Sequence, residues 1–472
     1  MAAAPALPAQ QRADGAAPDE PDRGAGGNGM TTQIPLAKIG IVIPVRNCLD
    51  YTQAALETIR TRHPYQLYVI DDYSDEPMKS WLASRPDIIT FTDPPGSTGL
   101  AWNWNLGISA ALADGCTQVL VINNDILLHP QAIDRMAARL GRGDLVLVTG
   151  DDIAPRCNAP KDVFTWDPAE EREDHHLDFS CFMLGEQAIR RVGWFDEGFL
   201  GAYFEDNDYY ARLVRADEQA LRLYCAPYFH HSMRTVNNNP KTQPLIQQRA
   251  GRNAEYFRTK WGRMPAGTRE DMLSEYSAFP FGREADQDRD TQARRLEQLF
   301  WTAVDTPSDI NDHLEMLYRL ASSVHDVAEI GVGMAQSTCA LAYTHPRKLR
   351  VYEVPRTAAN VRVEYAARLS GIDFERIPAE GEVVRPESTD LLFIDGLHDE
   401  ERVALELDIH APFVRRFLVL HDTESYGERG ETPGHRGIWP AVSAYMRQHP
   451  EWTLQSHLPN NNGLTVFVRD GA

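Results

Sequence analysis

The sequence lacks the features of a membrane-spanning or secreted chain. A transmembrane helix needs about 18 or more predominantly apolar residues in succession, and no run of that length occurs. The N-terminal residues are rich in Ala, Pro, Gly and Asp, and they carry neither the basic start nor the apolar centre of a signal peptide. We therefore predict no membrane insertion, although peripheral contact with a membrane stays open.

Closely spaced cysteines are also missing. The six cysteines are scattered over 472 residues, and no two of them form a Cys-x-x-Cys pair. A disulfide framework is found mainly in small secreted domains with dense, regularly spaced cysteines. The pattern instead predicts reduced, mostly packed thiols in a cytoplasmic protein.

Basic residues are too few to balance the acidic ones. Lys and Arg number 47 against 68 Asp and Glu, which gives a formal net charge of -21. Such a surface repels phosphate backbones, so we expect no nucleic-acid partner unless a local basic groove exists. A bound metal would have to mediate contact with any anionic small-molecule donor.

The chain is long enough for two α/β domains. Residues 1–35 are of low complexity and predict a disordered tail. Short apolar runs that end at polar residues alternate with helical stretches, which is typical of parallel sheets. We predict a first domain over residues 36–265, a linker over 266–305 and a second domain over 306–472. The predicted strands are 39–44, 67–70, 119–122 and 145–148 in the first domain, and 327–330, 349–352, 391–394 and 417–420 in the second.

Acidic residues at the strand ends of the first domain suit sugar transfer from a nucleotide donor. Asp71 can accept a hydrogen bond from a uracil-type N–H, and Asp125 can place a hard oxygen ligand on Mg²⁺ or Mn²⁺. His230 can add a nitrogen ligand to the same metal. Glu205, Asp206 and Asp208 lie within four residues, and such crowding raises carboxylate pKa values, as a general base requires.

Each of these features also has a structural interpretation. Asp71 can be a turn or helix-capping residue, and residues 123–125 can be an ordinary loop. The acidic cluster can be the charged first turn of a helix. Paired histidines are often structural. What favours a functional site is that all four features occur in one order along one α/β frame.

In this setting the stretch from 39 to 262 resembles family 2 glycosyltransferases of the GT-A fold. Residues 42–47 resemble the opening strand, 69–74 the family's Val-Asp-Asp-Gly-Ser turn, and 99–107 its Gly-x-Ala-x-x-x-Asn-x-Gly element. The resemblance implies an inverting enzyme that takes a nucleotide-diphospho-sugar as donor and a glycan or protein as acceptor. The donor-binding residues that it implies are Pro44, Asn47, Asp71, Asp72, Gly99, Asn105, Asn123 and Asn124.

The acceptor side of the same resemblance lies further along the chain. Residues 193–197 and 204–208 match the acceptor segment, whose second acidic residue is the family's usual base, here Asp206. His230 starts a His-x-x-x-x-Thr pattern like that of the family's metal-binding histidine. Asn123 departs from the family, because it replaces the first residue of Asp-x-Asp. The resemblance therefore leaves Asp125 and His230 as the metal ligands.

Strand ends of the second domain also carry polar residues. Glu329, Gly331 and Gly333 follow the first predicted strand, and glycines there allow close approach of a cofactor. Glu353 ends the next strand and suits a ribose diol. Tight packing between a strand and a helix explains the glycines equally well. Two later strands end at Asp395 with His398 and at His421-Asp422, and these offer ligands for a second divalent metal.

Residues 306–472 resemble class I S-adenosylmethionine-dependent methyltransferases with Phe-Ile-Asp-Gly-x-His and His-Asp-Thr motifs. This resemblance implies S-adenosylmethionine bound near Glu329, Gly331, Gly333 and Glu353, with Asp395, His398 and Asp422 as the metal or catalytic residues. Ala335 replaces the third glycine of the cofactor loop. Two hypotheses stay open: the second domain O-methylates a sugar, or it is a non-catalytic docking module.

Overall fold

The structure is a computed structural model that describes residues 36–92, 99–167, 172–232, 243–265, 287–352, 357–378 and 386–471. The predicted tail 1–35, residues 266–286 of the predicted linker, and Glu353 lie outside the described residues. Residues from Leu36 onward form one compact unit that contains two separate sheets.

The first sheet begins with apolar strands that are buried on both faces, as expected of parallel strands covered by helices. Its order is β3-β2-β1-β4-β8-β6-β9-β5, and β7 pairs with β9. Strand β2 lies on one side of β1 and strand β4 lies on the other, so the strand order reverses direction at β1. A ligand crevice is expected at such a reversal, beyond the carboxyl ends of β1 and β4. The strands are β1 Ile39–Val45, β2 Tyr65–Asp71, β3 Ile88–Thr92, β4 Gln118–Ile122, β5 Ile126–Leu128, β6 Leu147–Asp152, β7 Glu173–Asp174, β8 Cys181–Gly185 and β9 Ala220–His230.

The predicted parallel strands at the start of the chain are confirmed, since β1, β2, β3 and β4 pair in parallel. The other half of the sheet is mixed, because β8 runs antiparallel to both β4 and β6. The helices are α1 Leu49–Glu57, α2 Met78–Ala83, α3 Leu100–Ala113, α4 Ala132–Leu140, α5 Glu186–Arg191, α6 Glu205–Arg215 and α7 Gln243–Trp261, with short 3₁₀ turns at Ala154–Arg156 and Pro160–Phe164.

The second sheet has the order β12-β11-β10-β13-β14-β16-β15. The five strands that neighbour one another in the order β12, β11, β10, β13 and β14 pair in parallel. Strand β16 is antiparallel to both β14 and β15. The chain reverses direction across the sheet between β10 and β13, which places a second ligand crevice at their carboxyl ends. The strands are β10 Asp326–Ile330, β11 Lys348–Tyr352, β12 Asp373–Ile377, β13 Thr389–Ile394, β14 Val414–His421, β15 Trp452–Leu458 and β16 Leu464–Arg469.

Part of the segment that the sequence predicts as a linker is helical. Helix α8, Gln287–Asp305, buries Leu296 and Phe300 in the core of the second sheet. The remaining helices are α9 Leu314–Ala321, α10 Gln336–Tyr343, α11 Ala358–Leu369, α12 Glu400–His410 and α13 Ile438–Gln448, with 3₁₀ turns at Asn311–His313 and Ala411–Phe413. Within the described ranges, no helix is both long and apolar enough to cross a membrane.

The two sheets share a hydrophobic cluster. Val361, Tyr365 and Leu369 of helix α11 are buried together with Trp104 of helix α3 and with other residues of the first sheet's core. The Tyr365 ring lies edge-on to Trp194, with ring centroids 5.5 Å apart. The boundaries predicted at 265 and 306 stay a prediction, and the two sheets pack against each other through α3 and α11.

Candidate functional site

The loops after β1 and β2 are joined by side chains. The backbone N–H of Asn47 donates to Ser74 Oγ at 2.7 Å, and Asn47 Oδ1 accepts from the N–H of Asp75 at 2.7 Å. Asp71 is almost fully buried, and its Oδ1 accepts from the N–H of Ser74 at 3.0 Å. Through this bond Asp71 caps the turn after β2, as the structural interpretation of this residue predicts. The predicted contact of Asp71 with a donor base stays a prediction.

Two further donor-side residues lie beside this turn. Asp72 forms an ion pair with Arg46, with Oδ2 and Nη1 3.3 Å apart. Pro44 is buried within β1, opposite Ile70 of β2. The predicted donor-binding roles of Pro44 and Asp72 stay predictions.

Gly99 brings two segments of the first half into backbone contact. It has a φ of 110°, and a Cβ at this position would lie 2.5 Å from the backbone nitrogen of Gly201. The N–H of Leu100 donates to the carbonyl of Gly201 at 2.7 Å. The start of helix α3, predicted to bind the donor, is therefore fastened to the segment that leads to the acidic cluster.

Asn105, which the family motif predicts to bind the donor, is hydrogen-bonded to residues 195–197. Its Nδ2 donates to the Phe195 carbonyl at 2.9 Å and to Glu197 Oε1 at 2.7 Å, and its Oδ1 accepts from the Phe195 N–H at 3.0 Å. These bonds occupy both amide hydrogens and the carbonyl oxygen of a buried side chain. Asn105 therefore holds residues 195–197 in place, and its predicted role in binding the donor stays a prediction.

Asp125 and His230 meet where β4 and β9 end. The distance between Asp125 Oδ1 and His230 Nε2 is 3.1 Å, and the side chains are 6% and 15% exposed. Burial would lower the pKa of His230, but Asp125 next to it holds that pKa above its ordinary value. One carboxylate oxygen and one imidazole nitrogen that converge in this way fit a divalent cation whose other ligands are diphosphate oxygens and water.

The two asparagines before Asp125 shape the loop. Asn124 is buried, and its Nδ2 donates to Thr52 Oγ1 at 3.0 Å. The N–H of Asn123 donates to the carbonyl of Ser180 at 2.9 Å, which joins the loop to the start of β8. Asn124 is thus committed to helix α1, whereas the half-buried Asn123 side chain lies near the crevice.

The three acids at the start of helix α6 have unequal environments. Asp208 is fully buried and is contacted by Arg212 at 2.9 Å, by Lys260 at 2.7 Å and by the Trp261 indole N–H at 2.8 Å. These partners make it a structural anion that fastens helix α7 to helix α6. Glu205 is 4% exposed, whereas Asp206 is only half-buried. Of the three predicted candidates, Asp206 is the one that an acceptor can reach.

The backbone and the charges around Asp206 are typical of a reactive site. Tyr203 and Phe204 have φ values of 80° and 76°, an unfavourable conformation for side chains of that size. Burial, helped by the charge of Asp206, raises the pKa of Glu205 to about 8, and burial also raises the pKa of Asp206. Burial therefore favours the protonated form of Glu205 and makes Asp206 a stronger base than an exposed aspartate.

Two acids that the sequence analysis did not select complete this site. Asp178 acts electrostatically on His230 and on Asp206, and it raises the pKa of both. Asp152 ends β6, and its Oδ1 accepts from the N–H of His230 at 3.1 Å. The position of Asp152 at a strand end was a usable signal. Asp178 lies in an irregular loop, where neither motif nor periodicity marks it.

At the second crevice, the loop after β10 approaches β13 very closely. Gly331 has a φ of 80°, and a Cβ there would lie 2.1 Å from the carbonyl oxygen of Asp395. Glu329 is fully buried, and its Oε2 accepts from Thr338 Oγ1 at 2.7 Å. Gly333 has a φ of 49° with open space around it, and Ala335 adopts a φ of 60° that the family's glycine would adopt without strain.

Two aspartates and two histidines gather beyond β13 and β14. Ligand atoms of Asp395, His421 and Asp422 lie within 4.8 Å of one another. His398 Nε2 lies 3.3 Å from Asp422 Oδ2 and 3.6 Å from Asp395 Oδ1. The two strand ends that the sequence predicts to offer metal ligands, Asp395 with His398 and His421 with Asp422, thus lie together, and the metal-binding role of these residues stays a prediction.

The protonation of these histidines favours a cation between them and the carboxylates. His421 Nε2 lies 3.2 Å from the carbonyl oxygen of Asn461, which can only accept, so this nitrogen carries a proton. His421 Nδ1 faces Asp395 Oδ1 at 3.0 Å, a contact that needs either a second proton or a metal ion. Metal-binding histidines commonly donate their outer N–H to such an acceptor.

His398 repeats this arrangement. Its Nδ1 lies 3.1 Å from Glu431 Oε2, while Nε2 is buried and has no well-directed hydrogen-bond partner among the described residues. Burial would lower the pKa of both imidazoles, but Asp395 and Asp422 hold these pKa values above the ordinary one. Two nitrogen and two oxygen donors of this kind fit a divalent transition metal better than Ca²⁺.

Comparisons with known proteins bear on the first half of the chain. Residues 40–183 match the family model described as Glycosyl transferase family 2. This part of the chain is similar to family 2 glycosyltransferases. The matched residues are less than a third of the 472-residue sequence, and they end before the acidic cluster at Glu205.

The other comparisons add little. A search of curated proteins finds no match. Among solved structures, the chain is similar to one described as GalNAc-T7 with UDP, GalNAc and Mn²⁺, with 11% sequence identity and a TM-score of 0.34. The alignment covers 51% of this chain and 58% of that one, less than two thirds of its length. A similarity at this level carries no argument about fold or substrate.

Proposed function

We propose that the protein is an inverting glycosyltransferase that moves a sugar from a nucleotide-diphospho-sugar to a hydroxyl group of a glycan or protein. The match of residues 40–183 to the family model supports the reaction class. The single observation that carries the assignment of the site is the convergence of Asp125 and His230 at the strand ends, where Asp125 Oδ1 and His230 Nε2 lie 3.1 Å apart.

Asp206 is the proposed general base. It accepts the proton of the acceptor hydroxyl while that oxygen forms a bond to the anomeric carbon. The bond from this carbon to the diphosphate oxygen breaks on the opposite face, and its electron pair leaves with the diphosphate. One base and one displacement invert the configuration at the anomeric carbon.

The remaining residues bind and orient. Asp71 and the loop held by Asn47 receive the nucleobase, and the tightly packed start of helix α3 at Gly99 lies beside the donor. Asp125 and His230 would hold Mg²⁺ or Mn²⁺, which supplies positive charge for the diphosphate. The carboxylates of Asp178 and Asp152 favour a cation at this site when the donor supplies the remaining ligands.

A donor screen tests this proposal. The full chain is incubated with UDP-, GDP- and dTDP-sugars in Mn²⁺ or Mg²⁺, and the release of nucleoside diphosphate is measured, since many transferases hydrolyse their donor slowly without acceptor. We expect release with one nucleotide class and its loss in EDTA. Release that is equal in wild type and Asp206→Asn, with and without acceptor extracts, would contradict the assignment of the base.

A second function is proposed for the other sheet, namely O-methylation of a sugar with S-adenosylmethionine. The close approach of Gly331 to Asp395 and the four-residue group beyond β13 and β14 support a cofactor crevice next to a metal site. Strands β10 to β14 also follow the 3-2-1-4-5 order of doubly wound nucleotide-binding sheets. Glu329 and Gly331 would contact the cofactor, and the metal would orient the sugar hydroxyl.

Calorimetric titration of S-adenosylmethionine into the full chain separates this function from the docking-module alternative. The methyltransferase proposal predicts saturable binding that is weakened by Gly331→Ala, because a side chain there collides with the Asp395 backbone. The docking alternative predicts no heat. Gly115→Ala, at an open turn with positive φ in the first half, is a matched control for the effect of strain alone.

A further inference from the structure

Glu197 receives two guanidinium groups from the second half of the chain. Arg362 of helix α11 donates through Nη2 to Oε1 at 2.5 Å and to Oε2 at 2.7 Å. Arg295 of helix α8 donates through Nη2 to Oε1 at 3.1 Å. The three side chains are 24%, 12% and 18% exposed, respectively, so the cluster is mostly withdrawn from water.

The electrostatics show that Glu197 depends on these partners. Burial would raise the pKa of Glu197, but Arg362 and Arg295 hold that pKa below its ordinary value. A buried carboxylate without such partners is strongly unfavourable. Arg362 is further fixed by Trp102, since its guanidinium lies over that ring at 5.3 Å from the centroid.

Hydrogen bonds and then the backbone connect this cluster to the proposed base. Glu197 Oε1 accepts from Asn105 Nδ2 at 2.7 Å, and Asn105 binds both the N–H and the carbonyl of Phe195. Residues 195–201 then run to Gly201, whose carbonyl is bonded to the start of helix α3. The strained Tyr203 and Phe204 follow immediately, and Asp206 comes next.

The same segment is held on its other side by the first half itself. Asn253 of helix α7 accepts from the N–H of Leu200 at 3.1 Å and donates to the carbonyls of Leu200, Ala202 and Tyr203 at 3.0 to 3.1 Å. The segment that aims Asp206 is therefore held between helix α7 and the two arginines. When the contacts of Arg362 are removed, the contacts of Asn253 remain. The contribution of Arg362 can therefore be measured without unfolding the protein.

We propose that Arg362 is a positioning residue for sugar transfer, and that the second sheet is in this way a structural part of the glycosyl-transfer site. The inference rests on the proposed function for its catalytic consequence. Arg362 fixes Glu197, Glu197 fixes Asn105, and these bonds set the path of residues 195–204 and the aim of Asp206. Arg362 itself touches neither donor nor acceptor.

The first measurement is independent of any catalytic assignment. Amide hydrogen exchange is followed in wild type, Arg362→Gln and Arg362→Lys. The Phe195 N–H, which is bonded to Asn105, should exchange at least about tenfold faster in Arg362→Gln, because a hydrogen bond to a charged group is worth that much. Arg362→Lys keeps the charge but loses the planar guanidinium that lies over Trp102 and reaches both Glu197 oxygens through Nη2, so its exchange rate should lie between the two.

The second measurement uses donor hydrolysis with the nucleotide class found in the screen. Arg362→Gln should lower kcat by about tenfold while the KM for the donor stays within twofold, because the donor-binding loops are intact and only the aim of the base changes. Arg362→Lys should recover part of the rate. A purely structural contribution would lower the melting temperature and leave kcat of the folded enzyme unchanged.

Arg319→Gln is the matched control, because Arg319 pairs with Glu315 on an exposed helix of the same half. Exchange at residues 195–201 and kcat that both equal the control overturn the proposal. Faster exchange with unchanged kcat also overturns it, since the aim of Asp206 would then not depend on Arg362. If wild type hydrolyses no donor, the proposed function fails, while the exchange of Phe195 still decides whether Arg362 holds the segment. If Arg362→Gln does not fold, Arg362→Lys alone decides both measurements.

Discussion

The two crevices differ in how much of a metal site the protein itself provides. Beyond β4 and β9, Asp125 and His230 supply one oxygen and one nitrogen at 3.1 Å. Beyond β13 and β14, two aspartates and two histidines converge, and the outer nitrogens of both histidines are already bonded. On the functions proposed for the two crevices, the first site needs ligands from its substrate, whereas the second can bind a metal ion before any substrate arrives.

This difference matches the chemistry proposed for each crevice. A diphosphate donor carries its own oxygen ligands, so a metal that binds with the donor suits the first site. A sugar hydroxyl is a weak ligand and has to meet a metal that is already held. The comparison leads to four predictions, of which the first two concern the transfer reaction and are expected to be the largest.

Asp125→Ala should have the largest effect on transfer. The substitution removes the main carboxylate of a two-residue metal site. The charge of the leaving diphosphate is then no longer compensated by the cation, which costs several kcal/mol in the transition state. We expect donor hydrolysis to fall by about a thousandfold or more in Mn²⁺ and donor binding to weaken. Asp87→Ala, at a surface ion pair with Arg85, controls for loss of an aspartate. Activity that survives both EDTA and the substitution would show that no metal acts here.

Asp206→Asn should lower turnover by about a hundredfold to ten-thousandfold, because it keeps the shape of the side chain and removes the basic oxygen. Donor binding and melting temperature should hardly change. The matched variant is Asp208→Asn, which perturbs the ion cluster with Arg212 and Lys260 and should lower the melting temperature more than the rate of the folded enzyme. Near-normal turnover in Asp206→Asn would make another acid the base.

Metal affinity without nucleotide tests the comparison directly. Titration of Mn²⁺ into the full chain should show one site that is weakened by about tenfold to a hundredfold in Asp422→Ala. Asp125→Ala should leave this site unchanged, and Asp422→Ala should leave donor hydrolysis unchanged. Binding of Mn²⁺ that depends on Asp125 and not on Asp422 would reverse the assignment of the two crevices.

The smallest expected effect is a pH-dependent change in stability at Glu205. Between the ordinary glutamate pKa of about 4.3 and the folded value of about 8, the unfolded chain releases a proton that the folded chain keeps. The free energy of unfolding therefore falls as pH rises through this window, and the loss is complete above it. Glu205→Gln should remove this slope.

We expect Glu205→Gln to gain more than about 1 kcal/mol on wild type between pH 5 and pH 8, and nothing further above pH 8.5, since one pKa unit corresponds to about 1.4 kcal/mol. Thermal or urea unfolding at several pH values measures the difference. The readout is the slope of the unfolding free energy against pH and not the absolute stability, because the amide introduced at position 205 needs hydrogen-bond partners of its own. Parallel curves for the two proteins would show that Glu205 is ionised in the folded state.

Some of this architecture could be predicted from the sequence and some could not. The cores of β1, β2, β4, β10, β11, β13 and β14 are short apolar runs, because both faces of a parallel strand are buried, and such runs are visible in the sequence. Helix α8 was missed, since its buried Leu296, Phe300 and Ala303 stand among many charged residues. The antiparallel strand β8 also gave no clear signal.

The candidate site divides in the same way. Strand ends predicted Asp71, Asp125, Asp395 and Asp422, because parallel strands bring their carboxyl ends to one edge. The partners of Asn105 depend on where residues 195–197 lie in space, and its family position did not reveal them. The unequal burial of Glu205, Asp206 and Asp208 likewise follows from the packing of helix α7, which no local pattern encodes. The catalytic and ligand-binding roles of these residues stay predictions.

The backbone contact between Gly99 and Gly201 has a consequence for recombining this protein with others. Gly99 has no room for a side chain, since a Cβ there would lie 2.5 Å from the Gly201 backbone nitrogen. The start of helix α3, proposed to lie beside the donor, and the segment that leads to the proposed base therefore have to fit each other. A chimaera that takes a new acceptor specificity from a relative has to exchange residues 99–107 and 195–208 together. It also has to keep Arg362 of helix α11, or take from the relative the surface that stands in the place of Arg362.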